Sequence, residues 1–368
     1  ADADADVPIP ATAAPAARER FMPHDLSVSS QPVLPAAVPG RPGRARRSLL
    51  HLPLAAAGAA LAPDARSQAW PTRPIRIVVG FPAGNTLDVV SRLLAEALRT
   101  RLGQPVVVEN KPGANGVLAA TDVIRSQPDG HTLLATNSSG MTVNPQLYRR
   151  LGYQMSDFVP VTMIVSAPLI VMVNAAAERT AQVRSLGELV AMARARPGDL
   201  RFGSAGLGNI TQLSVEIITG QAGVKLTTVP YKGTSASQAG LLGQEVDFAL
   251  DTPLAVPLVR SGRLRALAVT SAQRWRDLPD VPTVAESGFP GFDVTFWLAW
   301  MAPAQTPAPV LAALHAAMGS LREDAALARQ LLPHGVPGFP DPPVFAARMR
   351  AEHEAWGEVI RREKISLD

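Results

Sequence analysis

The chain has 368 residues, 47% of them apolar and 18% charged, with no cysteine and a formal net charge of +4. That length accommodates about two domains and a large buried core, and the low charge excludes a wholly disordered chain. The missing thiols exclude disulfides, thiolate zinc sites and a cysteine nucleophile, and the weak charge imbalance without aromatic interleaving excludes nucleic acid as a partner.

In chain order, residues 1–40 are rich in Ala, Pro, Asp and Ser and read as a disordered extension. Arg41, Arg44, Arg46 and Arg47 then precede the apolar stretch Ser48–Ala62, and Ser67-Gln68-Ala69 resembles a small-residue cleavage site. Residues 41–69 therefore read as a secretory signal peptide with the mature chain starting near Trp70; Arg46-Arg47-Ser48-Leu49-Leu50 also resembles a twin-arginine signal. The apolar run falls short of the roughly 20 residues of a membrane span.

From Trp70 on, strand and helix patterns alternate. Strands are expected at 75–80, 105–109 and 131–136, with helices at 86–102 and 115–125 between them. Residues 160–174 are strand-rich and cross between two lobes. Helices at 185–196, 210–221, 235–242 and 254–260 alternate with strands at 200–204, 226–231, 245–250 and 263–270. A strand at 292–301 and a mostly helical stretch, 307–365, complete the chain. This alternation predicts an α/β fold of two lobes, each a mainly parallel sheet flanked by helices.

In such sheets ligands bind beyond the carboxyl ends of the strands. Four strand-to-helix loops there are rich in small residues: 81–86, 110–116, 137–140 and 204–209. Small residues let backbone N–H groups approach a ligand, and a helix N-terminus adds roughly half a positive charge. Enzyme motifs fail: Gly206-Leu207-Gly208 is followed by Thr211 where a third Gly would be needed, and Phe202 occupies the first Gly position of a nucleophile elbow at Ser204. Of the four histidines after residue 69, only His353 has carboxylates beside it, and Glu352-His353-Glu354 reads as a solvated helix surface. Asp247 and Asp251 lie four apart on one strand face, the placement of an acid/base pair; against that, Asp247 reads as fixing a turn and Asp251 as sitting at the ligand edge.

These residues resemble the periplasmic substrate-binding receptors of tripartite tricarboxylate transporters, the Bug receptors, over almost all of 70–368. The resemblance is carried by Trp70-Pro71, Arg73-Pro74-Ile75, Phe81-Pro82-Ala83-Gly84 with Asp88, and Glu109-Asn110-Lys111-Pro112-Gly113. Further on come Asn144-Pro145, Val229-Pro230-Tyr231-Lys232-Gly233, Val246-Asp247, Arg265-Ala266-Leu267-Ala268-Val269-Thr270, Asp280-Val281-Pro282-Thr283-Val284-Ala285-Glu286 and Ala302-Pro303. It implies a Venus flytrap, with lobe one at 70–170 plus 296–368 and lobe two at 171–295. It also implies a monomeric, non-enzymatic periplasmic receptor that delivers a small carboxylate to a membrane permease, without a cofactor or metal. The resemblance implies ligand binding by Phe81, Gly84, Asn85, Asp88, Ser138, Ser139, Ser204, Gly206 and Gly208, to which the reading of the loops and strand ends adds Asn209 and Asp251. The chain departs from the family pattern at Asn85 (usually Gly), Asn209 (commonly Thr), Gln212 (commonly His) and Thr252 (usually Asn). A secreted α/β hydrolase and a ligand sensor for a kinase stand as the rival readings.

Overall fold

The run Ile75–Val79 has apolar residues on both of its faces, as a strand buried between helices requires, and all but Arg76 are buried. It forms β1 in a computed structural model that describes residues 70–362 and residue 365. The readings of 1–40 and 41–69 lie outside the described residues. After β1 the chain continues through α1 (Thr86–Leu102), β2 (Val106–Asn110), α2 (Val117–Ile124), β3 (Thr132–Asn137), α3 (Asn144–Leu147) and β4 (Phe158–Pro168). It then runs through β5 (Ile170–Asn174), α4 (Leu186–Ala195), β6 (Arg201–Ser204), α5 (Ile210–Ala222), β7 (Thr227–Pro230), α6 (Thr234–Leu242), β8 (Phe248–Asp251), α7 (Val256–Arg260) and β9 (Leu264–Val269). Last come β10 (Thr295–Pro303), α8 (Ala308–Gly319), α9 (Ala325–Leu331), β11 (Val336–Pro337) and α10 (Pro342–Arg362).

Two sheets result, one per lobe. The first has the order β11-β4-β10-β3-β1-β2, the second β7-β6-β8-β5-β9. Both are mixed. β1 pairs in parallel with β2 and β3, and β6 with β7 and β8, as right-handed crossovers through helices produce. The segments that pass between the lobes enter antiparallel: β10 against β3 and β4, and β5 against β8 and β9. The parallel character expected from the alternation is therefore confined to the strand–helix–strand units.

Helix α1 shows how local sequence sets these elements. Leu87, Val90, Leu94 and Leu98 recur at helical spacing and are all buried. Removing each from water stabilises the fold by about 1.5–3 kcal/mol. Asn85 caps the start, and Gly103, with φ +65°, ends the helix by donating its N–H to Arg99 O at 3.1 Å. Strand β10 alternates across the first sheet: Trp300 donates Nε1–H to Ser91 Oγ of α1 at 3.2 Å, whereas Trp297 on the other face donates to Glu352 of α10 at 2.6 Å. That contact corrects the reading of Glu352 and His353 as solvated. Glu352 also accepts from Arg348, and burial raises its pKa against that pairing. His353 contacts Gln146 and Thr142 O, because two faces of α10 are covered, one by β10 and one by residues 139–147.

The chain crosses between the sheets twice, at Leu169 and between Val294 and Thr295. Thr270 holds both crossings. Its hydroxyl accepts the Leu169 N–H at 2.8 Å and donates to Val294 O at 2.6 Å, and its backbone bonds the same two residues.

Candidate functional site

Two glycine-rich loops start helices toward the space between the lobes. In the first, Gly84 takes φ +80°, a left-handed conformation in which a side chain is strained. It donates its N–H to Asp88 Oδ2 at 3.0 Å, and Asn85 Oδ1 accepts the Leu87 N–H at 3.0 Å. Asp88 is buried and also accepts from Arg92 and from Asn110 Nδ2. Burial pushes its pKa up, but Arg92, the Gly84 N–H and Asn110 together hold it below the usual aspartate value. In the second loop Gly208, with φ +70°, donates to Gln212 Oε1 at 2.9 Å, and Asn209 Oδ1 accepts the Thr211 N–H at 3.1 Å. Ser204 Oγ closes the turn, donating to Gly206 O at 2.8 Å and accepting its N–H at 3.2 Å.

Three further strand ends reach the same space. After β3, Asn137 Oδ1 accepts the Gly140 N–H, and residues Ser139–Val143 form one turn of π-helix, a local widening frequent at functional sites. The Ser138 hydroxyl at its start is buried with no hydrogen-bond partner among the described residues. Thr234 begins α6, and Thr252 follows β8. Asp251, beneath Thr252, accepts from the Thr252 N–H and Gln238 Nε2, each at 2.7 Å. Burial outweighs these bonds and raises its pKa to about 6.

The lobes meet through these groups. Ser139 Oγ accepts the Ile210 N–H at 2.9 Å, and Asn209 Nδ2 donates to Asn115 Oδ1 at 2.9 Å. Asn85 Nδ2 donates to Thr234 Oγ1 at 3.2 Å, and the Thr86 and Thr252 hydroxyls lie 2.8 Å apart. Beside these contacts lies a cavity of about 40 Å³. Its polar lining comes from Asn85, Thr86, Asn137, Asn209, Thr211, Thr234 and Thr252. Phe81, Leu169, Ala205, Ile210, Phe296 and Leu298 complete it, and no Lys, Arg, His, Asp or Glu is present. Among the described residues no group of three or more His, Asp or Glu is placed to hold a metal ion.

Of the residues singled out from sequence, Phe81, Asn85 and Asn209 line the cavity. Gly84, Asp88, Ser204, Gly208 and Asp251 stand behind it, shaping the loops that carry the lining. Ser138 and Ser139 follow the lining residue Asn137, and Gly206 follows the lining residue Ala205. Asp247 is a brace: it accepts from the Arg201 N–H and pairs with Arg179 and Arg201. Thr86, the last residue of the loop 81–86, and Thr252, one of the departures from the family pattern, also line it; sequence reasoning missed Thr211 and Thr234, although Thr211 sits two residues after an Asn cap. It also missed Leu169, Phe296 and Leu298, which are brought in by the crossings and carry no local signal.

The profile of the family described as "Tripartite tricarboxylate transporter family receptor" matches residues 90–364. The fold is similar to the structure of a protein from R. palustris, Rpa4515, with adipate: 33% identity and TM-score 0.76, over 81% of this chain and 99% of that one. It is also similar to the periplasmic binding protein BugD, at 32% identity and TM-score 0.75, over 81% of this chain and 99% of that one. MatC from Rhodopseudomonas palustris with bound malate gives 30% identity and TM-score 0.74, over 79% of this chain and 100% of that one.

Proposed function

Because the chain belongs to the tripartite tricarboxylate transporter receptor family, the Bug-type receptors, we propose that it captures a small carboxylate between its lobes and hands it to a membrane permease of that transporter type. Membership makes it a solute receptor and not an enzyme, so the hydrolase reading falls. The observation that carries the ligand class is the pair of Asn-capped helix starts, α1 and α5, that meet at a cavity lined by amides and hydroxyls but by no cationic side chain. Each helix start supplies partial positive charge, and the amides and hydroxyls of the lining supply donors, which suits an anion without an arginine clamp. The buried Ser138 hydroxyl offers one more donor beside Asn137.

Lobe one comprises 70–170 plus 296–368, lobe two 171–295, and the ligand favours closure by its differential affinity for the closed arrangement. The receptor works as a monomer in the periplasm, exported by the signal peptide 41–69, which is then cleaved; its likeness to a periplasmic binding protein supports that location.

A thermal-shift panel tests the ligand class. Carboxylates should raise Tm, with a stabilisation of about 2.7 kcal/mol at a concentration of about 100 Kd. Stabilisation by sugars or cations, and by no carboxylate, would overturn the reading.

A further inference from the structure

The cavity has two chemically different kinds of wall. The helix starts and strand ends bring amides and hydroxyls: Asn85, Thr86, Asn209, Thr234 and Thr252. The interlobe crossings bring hydrocarbon: Leu169 between β4 and β5, and Phe296 and Leu298 on the same face of β10. Strand alternation keeps that face apolar, since Phe296, Leu298 and Trp300 point one way and Trp297, Ala299 and Met301 the other.

The charges behind the lining are equally one-sided. Asp88 is matched by Arg92 and Asn110. Among the described residues Asp251 has no cationic partner; it is held by the Thr252 N–H and the Gln238 amide and touches the lining through Thr252. We propose that this site accepts a single carboxylate carried on a short apolar body, and discriminates against a second carboxylate. The inference rests on the receptor reading above and narrows it.

The reasons are electrostatic. A carboxylate leaving water needs compensation, and two helix starts with partial charge suffice for one. A second carboxylate would lie against Leu169, Phe296 and Leu298, where nothing replaces its hydration, or near Asp251, where like charge opposes it. In this respect the chain departs from its neighbours solved with adipate and malate, both of which carry two carboxylates.

Matched pairs isolate the second carboxylate. Butyrate against succinate, and hexanoate against adipate, keep chain length and exchange a methyl group for a carboxylate. Calorimetric titration of the purified protein at pH 7.5 should give the monocarboxylate at least tenfold tighter binding in the pair that binds more strongly. Equal or tighter binding of the dicarboxylate there would overturn the proposal, as would binding of citrate with none of the four. If no carboxylate of any kind binds, the receptor reading fails with it; if a dicarboxylate wins, only the present proposal fails.

Two variants separate the walls. Asp251→Asn should raise dicarboxylate affinity and narrow the ratio at least threefold; an unchanged ratio would remove Asp251 from the account. Leu298→Thr, shown by circular dichroism to be folded, should weaken the monocarboxylate more than the dicarboxylate. Equal losses would overturn the apolar wall.

Discussion

The starts of α1 and α5 are two versions of one device. Gly84-Asn85-Thr86-Leu87-Asp88 and Gly208-Asn209-Ile210-Thr211-Gln212 share a left-handed glycine, an asparagine cap and, four residues after the glycine, a side chain that accepts the glycine N–H. They differ in that acceptor. In lobe one it is a buried carboxylate that ties together the loop, Arg92 and Asn110 of β2. In lobe two it is a neutral amide whose further hydrogen bond, among the described residues, goes to Glu216 at 3.5 Å. A charged acceptor makes stronger hydrogen bonds and commits its neighbours to one geometry. A neutral one serves the same turn with less at stake.

The comparison breaks most sharply under truncation. Asp88→Ala strands the Gly84 N–H and one N–H of the Asn110 amide, whose other goes to Phe81 O, and should cost about 2–4 kcal/mol in urea unfolding, since hydrogen bonds to charged groups carry about 1.5–3 kcal/mol each; Arg92, half exposed, adds little. Gln212→Ala should cost about 1 kcal/mol. Equal losses at the two sites would show that the acceptor's charge is immaterial.

Acid should act on the two lobes with opposite signs. Asp88 has a depressed pKa, so its contribution is present above the usual aspartate value and is lost as pH falls through its lowered one. Asp251, in lobe two, has a pKa raised to about 6. Its contribution is complete below about pH 4 and is lost as pH rises through about 6, on the order of 3 kcal/mol. Urea midpoints between pH 4 and pH 7 should therefore flatten in Asp251→Asn. A wild-type slope in that variant would place the titration elsewhere.

The smallest effect expected is at the contact between lobes. Ser139→Ala removes the acceptor for the first N–H of α5, so it should leave urea stability within about 0.5–1.5 kcal/mol of wild type. Small-angle scattering should show a larger radius of gyration without ligand. Unchanged scattering would show that the remaining contacts hold the lobes together unaided.

Much of this frame was legible in the sequence, because its signals are local. The α1 limits follow from the Asn85 cap, the helical spacing of its leucines and Gly103. Where the limits moved, backbone geometry moved them. The helix expected at 115–125 begins at Val117, because Ala114, Asn115 and Gly116 take positive φ of +46°, +50° and +89°. The strand expected from 292 begins at Thr295, because Val294 still bonds Thr270. The cavity was legible only where a loop carries it. Leu298 lines it because register sets that residue opposite Asn137, and Thr252 because its hydroxyl meets Thr86 across the gap. Such pairings join residues 160 or so apart, and no local pattern encodes them.

Thr270 gives the fold a mechanical character. One hydroxyl fastens both crossings at a single point, so they form a joined pair rather than two independent straps. A body pinned at one place can swing, but it cannot slide sideways without breaking the pin. In the closure proposed above, strokes would repeat along the same arc and bring the same donors to the same place each time. Selectivity in such a molecule owes as much to the bearing as to the jaws.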